Sequence, residues 1–459
     1  MLSKSTKKIS LLSLVMITVI SVDSIRNLPA AAMFGEVLIS FYLLAAVFFL
    51  IPTALVSAEL AAMFNDSSGG IYSWVKEAFG DRVGVFAIWL QWIQNVIWYP
   101  TILSFVAGAL GYVIDSNIVN SNLYLAISII LLFLILTYLN LRGIQISATF
   151  SNYCSFMGLL LPMILIISLG FNWFISGSKI AISFSLANLV PNLGDGEAWL
   201  SLTAIILSVS GVEIATVHAR DVDNPQQKFP RALLYSAAII LSTLIMGSLA
   251  IAIVIPASEI NLITGIIQAF KTFFSAYNLE WVLPYMSLSL AIGAAGTVSN
   301  WIIAPTKGLF FAAKDNNLPK LFKIENKAGA PSALLYIQAI VVSLISLIFL
   351  FIPNVSQSYW VLTQIATQLY MVMYLLMFIS FLKLKKIKTM QNDSFKIPYG
   401  KLGMIVTVGF GIFGCLITFV ISFVPPGIVY AGDIYTYVVL LLLALIILCL
   451  PPFFLFKKN

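Results

Sequence analysis

The sequence predicts an all-α polytopic membrane protein that crosses the bilayer about twelve times. Its 459 residues are 60% hydrophobic and only 9% charged, whereas soluble domains carry about 25% charged residues. The apolar runs are continuous and reach the roughly 20 residues that a spanning helix needs. The regular alternation of apolar and polar residues that marks a membrane β-barrel is absent. Open sheets are excluded because lipid leaves unpaired backbone groups unsatisfied.

Twelve apolar segments, called spans 1 to 12 in chain order, account for most of the chain. They are residues 9–33, 37–63, 83–114, 122–141, 149–174, 198–217, 231–255, 281–313, 332–353, 357–382, 401–424 and 435–456. The start, "MLSKSTKKISLLSLVMITVI", has the basic and apolar parts of a signal peptide, but no cleavage site follows it. We therefore expect the first span to be an uncleaved helix.

The basic residues predict the orientation of these spans. Of the 25 Lys and Arg residues, 21 flank one face of the predicted membrane domain. Only Lys179 and Lys271 fall on the opposite face, and Arg26 and Lys307 lie within spans. Because positive residues accumulate in cytoplasmic loops, we expect both termini to be cytoplasmic.

Several function classes are excluded by what the sequence lacks. No Gly-rich run followed by Lys and Ser or Thr occurs, so the chain is not expected to use ATP directly. The three cysteines lie inside spans without metal-ligand spacing, and we expect no metal, no cofactor and no nucleic-acid partner. Acidic residues and histidine are too sparse for catalytic pairs, so the protein is not predicted to be an enzyme. A channel would need a ring of repeated polar residues, and none is seen.

Span 1 is interrupted where a membrane helix should continue. The stretch "SVDSIRNLPAAAMFG", from Ser21 to Gly35, places Asp23, Arg26 and Pro29 at this position. Ionisable groups inside a membrane indicate function by default. Because proline lacks an amide proton and disfavours helix at the residue before it, Pro29 is expected to end the first half-helix. Two alternatives stay open: an ordinary kink, and mutual neutralisation of Asp23 and Arg26 at i and i+3.

Span 6 carries a similar interruption. "SVSG" at 208–211 echoes "SVDS" at 21–24, which lies 187 residues and five spans earlier. An odd number of spans inserts two repeats with opposite orientation, and paired interrupted spans point to the central site of a transporter. We therefore predict one transmembrane domain over 1–459 with inverted five-helix repeats over about 9–174 and 198–382. The two extra helices lie at about 401–456.

Broken helices expose amide donors and carbonyl acceptors that suit the two charged ends of a free amino acid. The candidate binding residues are Ser21, Val22, Asp23, Ser24, Ile25, Arg26, Asn27, Ser208, Ser210, Gly211 and Glu213. Arg26 is a candidate for a substrate side-chain carboxylate, since its planar fork pairs with carboxylates. Asp23 is a candidate for the α-ammonium or for a cationic side chain, and these options predict opposite substrates.

Further candidates lie in other spans. The pocket or gate candidates are Gln94, Tyr99, Trp301 and Tyr370, and the proton or ion-coupling candidates are Glu213, His218 and Lys307. A plain loop contact is the favoured interpretation of His218. For Lys307, a side chain that snorkels to the membrane surface is the alternative. The segment "ASEINLITGIIQAFKTFF" after span 7 has helical apolar spacing and is expected either to form a lid or to pack there.

The motifs resemble those of the APC (amino acid–polyamine–organocation) transporters, and most of all those of the bacterial glutamate/γ-aminobutyrate antiporters. "SGVEIATVHARDVDNPQQKFP" is similar to the signature of their span 6, and "SNWIIAPTKGLFFAAKDNNLP" to that of their span 8. "GGIYSWVKEAFG" and "VISFVPP" resemble the loop after span 2 and the end of span 11. Span 1 departs from this pattern at Asp23 and Arg26.

The resemblance implies a twelve-helix fold whose first ten helices form two inverted repeats. It also implies exchange of one amino acid for a related amino acid or its decarboxylation product. We therefore predict a secondary active amino-acid antiporter of the bacterial inner membrane that works by alternating access. The alternatives are a proton-coupled amino-acid symporter and a nutrient sensor without turnover, although no predicted loop is long enough for a soluble signalling domain.

Overall fold

The computed structural model describes residues 10–64, 70–115, 117–142, 154, 156–183, 185, 189–191, 196–214, 225–315, 317–352, 354–387, 395–425 and 433–456. Every regular element among these residues is a helix. Ten helices are long and apolar enough to cross a membrane, and the bent span 1 makes eleven. The described part of span 6 is a shorter apolar helix. The prediction of an all-α polytopic membrane protein with about twelve helices is confirmed.

The helices follow the predicted spans closely. They are Leu11–Val22 and Leu28–Ala32 in span 1, Gly35–Met63 in span 2, Asp81–Ile114 in span 3, Asn122–Leu141 in span 4, Leu161–Ile175 in span 5, Gly196–Ser208 in span 6, Pro225–Ala252 in span 7, Leu283–Lys314 in span 8, Ser332–Ser346 and Ile348–Phe351 in span 9, Val355–Ile387 in span 10, Gly400–Ile421 in span 11, and Ile434–Cys449 and Pro451–Leu455 in span 12. The span 7 helix begins six residues before its predicted start, and the span 10 helix ends five residues after its predicted end. The added residues include Gln and Lys, and hydropathy marks only the apolar part of a helix.

Span 1 is broken, but not where proline was expected to break it. The first helix ends at Val22, and Asp23 and Ser24 have extended backbone. The halves are bent by 40°. Pro29 lies in the first turn of Leu28–Ala32, where its missing amide proton has no intrahelical acceptor to lose. The prediction that Pro29 ends the first half is therefore wrong, and it begins the second half instead.

The segment after span 7 forms the helix Gly265–Ala276, whose apolar face is buried. Gly265 lies against Pro29 of span 1: a Cβ atom at Gly265 would come within 2.9 Å of the Pro29 Cβ. Next to it, Thr264 approaches Gly108 of span 3 with similar closeness. The helix thus packs over the second half of span 1 and beside span 3, which holds that half in place.

Two polar clusters join the spans at the end predicted to be cytoplasmic. Asp315, at the end of span 8, accepts hydrogen bonds from Tyr72 at 2.8 Å and from Lys76 at 2.7 Å. Partial burial raises the pKa of Asp315, but these two hydrogen bonds outweigh it and hold the pKa below its usual value. Glu59 of span 2 is buried and pairs with Lys385 of span 10 at 2.5 Å.

Candidate functional site

A cavity lies between the breaks in spans 1 and 6. It encloses about 450 Å³ not filled by protein atoms, including its open mouth. Its lining comes from spans 1, 3, 6, 8 and 10. The lining residues are Val22, Asp23, Ser24, Arg26, Asn27, Gln94, Asn95, Trp98, Leu207, Ser210, Thr297, Trp301 and Tyr370. Spans 3 and 10, which supply two of its walls, are the most buried spans of the described chain.

Asp23 terminates the first half of span 1 and is 4% exposed. Its amide still bonds to the Val19 carbonyl at 2.7 Å, so the carboxylate follows directly on the helix end. One carboxylate oxygen, Oδ2, accepts a hydrogen bond from Thr243 of span 7 at 2.7 Å. The other, Oδ1, is buried and has no hydrogen-bond partner among the described residues. Asp23 therefore keeps one acceptor free at the cavity wall.

Arg26 follows three residues later and is 3% exposed. Its Nη1 donates to the Tyr359 hydroxyl of span 10 at 3.0 Å and to the Thr101 hydroxyl of span 3 at 3.3 Å. The guanidinium also sits 5.0 Å from the Trp98 ring centroid, a cation–π distance. Its Nε is buried and makes no hydrogen bond to a described residue. All these partners are neutral, so the charge of Arg26 is solvated but not neutralised.

Asp23 and Arg26 do not neutralise each other. None of the ion pairs among the described residues includes either side chain. A buried charge without a counter-ion is costly, by several kcal/mol in typical cases. The site therefore presents one unpaired acid and one unpaired base on the same segment, and both line one cavity.

The span 6 break forms at Val209 and Ser210, and the chain then turns at Gly211 with a φ of +107°. This region of φ favours glycine, because a Cβ atom would clash with the backbone. The hydroxyls of Ser208 and Ser210 donate back to carbonyls of their own helix at 2.7 Å each. The amide of Gly211 finds no helical carbonyl and donates to the Tyr374 hydroxyl at 2.8 Å.

Glu213 follows this turn and is 3% exposed. Its Oε1 accepts from the Tyr370 hydroxyl at 2.8 Å, and its Oε2 accepts from the Tyr374 hydroxyl at 2.5 Å. Gln91 of span 3 approaches Oε1 at 3.5 Å. Glu213 itself does not line the cavity, whereas Tyr370 does. Span 10 thus separates this carboxylate from the cavity.

Of the aromatic candidates in spans 3 and 8, one lines the cavity and the other is buried and hydrogen-bonds to it. Trp301 lines the cavity and lies 3.2 Å from the position that a Gly211 Cβ would take. Tyr99 is fully buried behind Trp301, and its hydroxyl donates to the Trp301 carbonyl at 2.8 Å. Trp98, one residue before Tyr99, faces the cavity and lies 5.7 Å from Trp301 between ring centroids.

Other predicted site residues lie elsewhere. Lys307 is half-buried and is absent from the cavity lining. The lining residues of span 8, Thr297 and Trp301, lie ten and six residues before Lys307, or roughly 15 Å and 9 Å along the helix. Ile25 is buried and is not among the residues that line the cavity. The side chain of Ser21 and all of His218 lie outside the described residues.

The structure also adds residues that the sequence did not suggest. They are Gln91, Asn95, Trp98, Thr101, Thr243, Thr297, Tyr359 and Tyr374. A signal was present in span 3, where polar or aromatic residues recur at 91, 94, 95, 98 and 101. This spacing of three and four residues marks one face of a helix.

Comparison with known proteins finds transporters that match the sequence over most of its length. The sequence matches the family described as amino acid permease over residues 9–447. An uncharacterized transporter of Legionella pneumophila is 39% identical over all of this chain and 98% of its own length. A glutamate/γ-aminobutyrate antiporter of Lactococcus lactis is 30% identical over 99% of this chain and 91% of its own. A probable agmatine/putrescine antiporter of the same species is 22% identical over 85% of this chain and 82% of its own.

These matches confirm the resemblance to the APC transporters, and the relatives are transporters rather than enzymes. The described helices make the protein a multi-pass membrane protein, and the family match extends over nearly all of them. The chain belongs to the amino acid permease family of the APC superfamily.

Proposed function

We propose that the protein is an amino-acid antiporter of the bacterial cytoplasmic membrane that works by alternating access. The substrate would lie in the cavity between the broken spans 1 and 6. The antiporters among its relatives support exchange as the mode of transport. In this proposal the inverted repeats place one broken span in each half, and the two breaks meet at one site.

The observation that carries the proposal is the unpaired acid and base in the cavity lining. Asp23 keeps Oδ1 free and Arg26 keeps Nε free, and no described ion pair includes either residue. A zwitterion brings one ammonium and one carboxylate, which are the two missing counter-ions. A substrate with a single charge would leave one of the two buried groups without a partner, at a cost of several kcal/mol.

The roles of the two residues follow from their chemistry. Arg26 would bind a substrate carboxylate through the edge of its guanidinium that carries Nε, because that edge makes no bond to a described residue. Asp23 would bind the ammonium through Oδ1, while Thr243 keeps the carboxylate in position through Oδ2. Trp98, Trp301 and Tyr370 would enclose the apolar part of the substrate.

Orientation is part of the same proposal. With both termini in the cytoplasm, span 1 runs outward and span 10 runs inward. Arg26, with Thr101 and Tyr359, then lies on the outer side of the cavity. Glu213, with Tyr370 and Tyr374, lies on the inner side. The two clusters would form and break in alternation as access changes sides.

A proton-coupled symporter is the second candidate, and one observation favours it. Glu213 is a buried carboxylate that accepts hydrogen bonds from the neutral side chains of Tyr370, Tyr374 and Gln91. Such a group can bind and release a proton during a transport cycle. Under this reading the same cavity holds the substrate, and the drive is a proton gradient instead of a second amino acid.

Uptake into proteoliposomes separates the candidates. Purified protein is reconstituted into vesicles that are empty or preloaded with one unlabelled amino acid, and labelled amino acids are offered one at a time. Uptake only into preloaded vesicles is the expected result, and it names the exchange pair. Equal uptake into empty vesicles under an imposed proton gradient would establish the symporter. No uptake of any amino acid in either case would reject both.

A further inference from the structure

The cavity wall contains a third residue with an unused hydrogen-bonding atom, and this residue carries no charge. Gln94 of span 3 lines the cavity and is 3% exposed. Its Oε1 is buried and has no hydrogen-bond partner among the described residues. Together with Oδ1 of Asp23 and Nε of Arg26, the lining therefore offers a ligand one acid, one base and one amide.

The other uncharged polar residues of the lining are satisfied in other ways. Three of them donate hydrogen bonds to carbonyls of their own helices, namely Ser210 at 2.7 Å, Thr297 at 3.2 Å and Asn95 at 2.8 Å. Ser24 and Asn27 are only partly buried, so solvent in the open cavity can pair with them. A buried acceptor without a donor is unfavourable, and within the described lining Gln94 is the uncharged residue in that position.

The amide of Gln94 is displaced from the group that would bind the substrate carboxylate. Trp98, whose ring centroid lies 5.0 Å from the Arg26 guanidinium, follows Gln94 by one helical turn, or about 6 Å along span 3. Thr101, which also contacts Arg26, is three residues further on. A substrate group that reaches Gln94 is therefore separate from the carboxylate held by Arg26, as a side chain is.

The charges of the lining limit what this side chain can be. Asp23 and Arg26 are the charged side chains among the described lining residues, and in the proposed function the α-ammonium and the α-carboxylate occupy both. A charged side chain would enter as a third charge without a counter-ion, which is unfavourable in a buried site. A wholly apolar side chain would leave Oε1 of Gln94 unpaired.

We infer that Gln94 determines the specificity for the substrate side chain, and that the substrate is a neutral amino acid whose side chain ends in a carboxamide. Such a group donates to Oε1 of Gln94 and accepts from its Nε2, so each amide supplies what the other lacks. This inference rests on the proposed function, because it names the class of amino acid that the same cavity binds.

Binding to the purified protein in detergent tests the substrate class. Labelled glutamine and labelled asparagine are the probes at pH 7, and each is competed with its acid, glutamate or aspartate. Norleucine serves as an apolar competitor of glutamine. We expect each acid to bind at least about 100-fold more weakly than its carboxamide, and norleucine about tenfold more weakly than glutamine. A buried unpaired charge and one lost hydrogen bond imply effects of this size.

The next residue along span 3 provides a matched control for Gln94. Asn95 lines the same cavity and is 2% exposed, but its amide nitrogen bonds to its own helix. Gln94→Leu should weaken glutamine binding about tenfold and leave norleucine within about threefold, so that the preference for the carboxamide disappears. Asn95→Leu should keep this preference, whatever its effect on the two affinities. A variant that only disturbs the fold would weaken both ligands alike.

Three results would overturn the inference. An acid could bind as tightly as its carboxamide, norleucine could bind as tightly as glutamine, or Gln94→Leu could keep the preference of the wild type. Loss of the preference in Asn95→Leu as well would also overturn it, because the discrimination would then not belong to Gln94.

Exchange in proteoliposomes separates this inference from the proposed function. If charged or apolar amino acids are exchanged and the carboxamides are not, the proposed function stands and the inference fails alone. If no amino acid is bound or exchanged, both fail. The expected result is exchange in which a carboxamide amino acid is taken up in preference to its acid, with the preference lost in Gln94→Leu.

Discussion

Two clusters, around Arg26 and around Glu213, connect the broken spans 1 and 6 to spans 3 and 10. The hydrogen-bonding capacity of the charged group is used to a different degree in each cluster. Arg26 of span 1 bonds to Thr101 of span 3 and Tyr359 of span 10. Glu213 of span 6 bonds to span 3 and span 10 as well, through Gln91 and two tyrosines. Thr101 and Gln91 are ten residues apart on span 3, or roughly 15 Å along its axis.

The difference lies in what each charged group still lacks. Both oxygens of Glu213 accept a phenol hydroxyl at short distance, whereas Arg26 has a buried Nε with no described partner and rests mainly on ring faces. A group that the protein already satisfies is suited to hold helices together. A group that the protein leaves unsatisfied is suited to bind something else. This difference supports the proposed roles, in which the Arg26 cluster binds the substrate and the Glu213 cluster joins the helices.

Removing the charge of Arg26 should have the largest effect. Arg26→Met keeps much of the side-chain volume but removes the donors for a carboxylate, and we expect kcat/KM to fall about 100-fold, in line with the energy of charge-assisted hydrogen bonds. Labelled uptake into preloaded vesicles measures it. Arg26→Lys keeps the charge but not the planar guanidinium, so its kcat/KM should lie between that of the wild type and that of Arg26→Met. Unchanged affinity in Arg26→Met would remove Arg26 from the substrate site.

Glu213→Gln should have a smaller effect, and of a different kind. The amide offers one acceptor where the carboxylate has two, so one tyrosine hydroxyl loses its partner. We expect turnover to fall about tenfold while substrate affinity changes little. Equilibrium binding to the detergent-purified protein, compared with exchange rates in vesicles, separates the two quantities. A loss of affinity as large as that of Arg26→Met would erase the distinction between the clusters.

The turn that carries Glu213 can be tested through its stability. Gly211→Ala places a Cβ in the left-handed region, 3.2 Å from the Trp301 ring, and should lower the free energy of unfolding by about 1–2 kcal/mol. Thermal unfolding in detergent is the measurement. Gly409→Ala in span 11 is the matched control, because nothing lies within 4 Å of its added Cβ. Equal effects of the two substitutions would show that the turn is not constrained.

The smallest effect is expected far from both clusters, at Asp315. Bonds from Lys76 and Tyr72 outweigh partial burial and lower the pKa of this carboxyl. Its contribution to stability is therefore present above the unfolded pKa of 3.8 and is lost as the pH falls through the lower folded value. The pair is substantially exposed, so Asp315→Asn should cost less than about 1 kcal/mol at pH 7. The unfolding temperature of the variant should lack the acid-side decrease of the wild type.

The sequence was sufficient for the framework, for Arg26 in one cluster, and for Glu213 and Tyr370 in the other. Hydropathy located the spans, and charged or small polar residues inside apolar runs located both breaks at Asp23, Arg26 and Glu213. The partners were harder to predict, because Tyr359 lies 333 residues from Arg26 and no local pattern marks such a contact. In a helix that is apolar on every side, the face of a single tyrosine is undetermined.

Some of the missed residues did leave a trace. Tyr374 follows Tyr370 by one helical turn in "LYMVMY", so the two share a face. Pro29 in span 1 led to a wrong prediction. Its restricted backbone was expected to end a helix, but tertiary packing against Gly265 places it where a helix starts.

Span 3 contributes one residue to each cluster and therefore sets the distance and the rotation between them. Substitutions and deletions in span 3 should for this reason have different effects. Gln91 and Thr101 are about 80° apart around the helix axis, and they keep this relative orientation only if the number of residues between them is preserved. Deleting one residue from this interval would rotate one cluster by about 100° relative to the other and shorten their separation by about 1.5 Å. Substitutions between them are expected to act locally, whereas a single deletion would disconnect the two sides of the carrier at once.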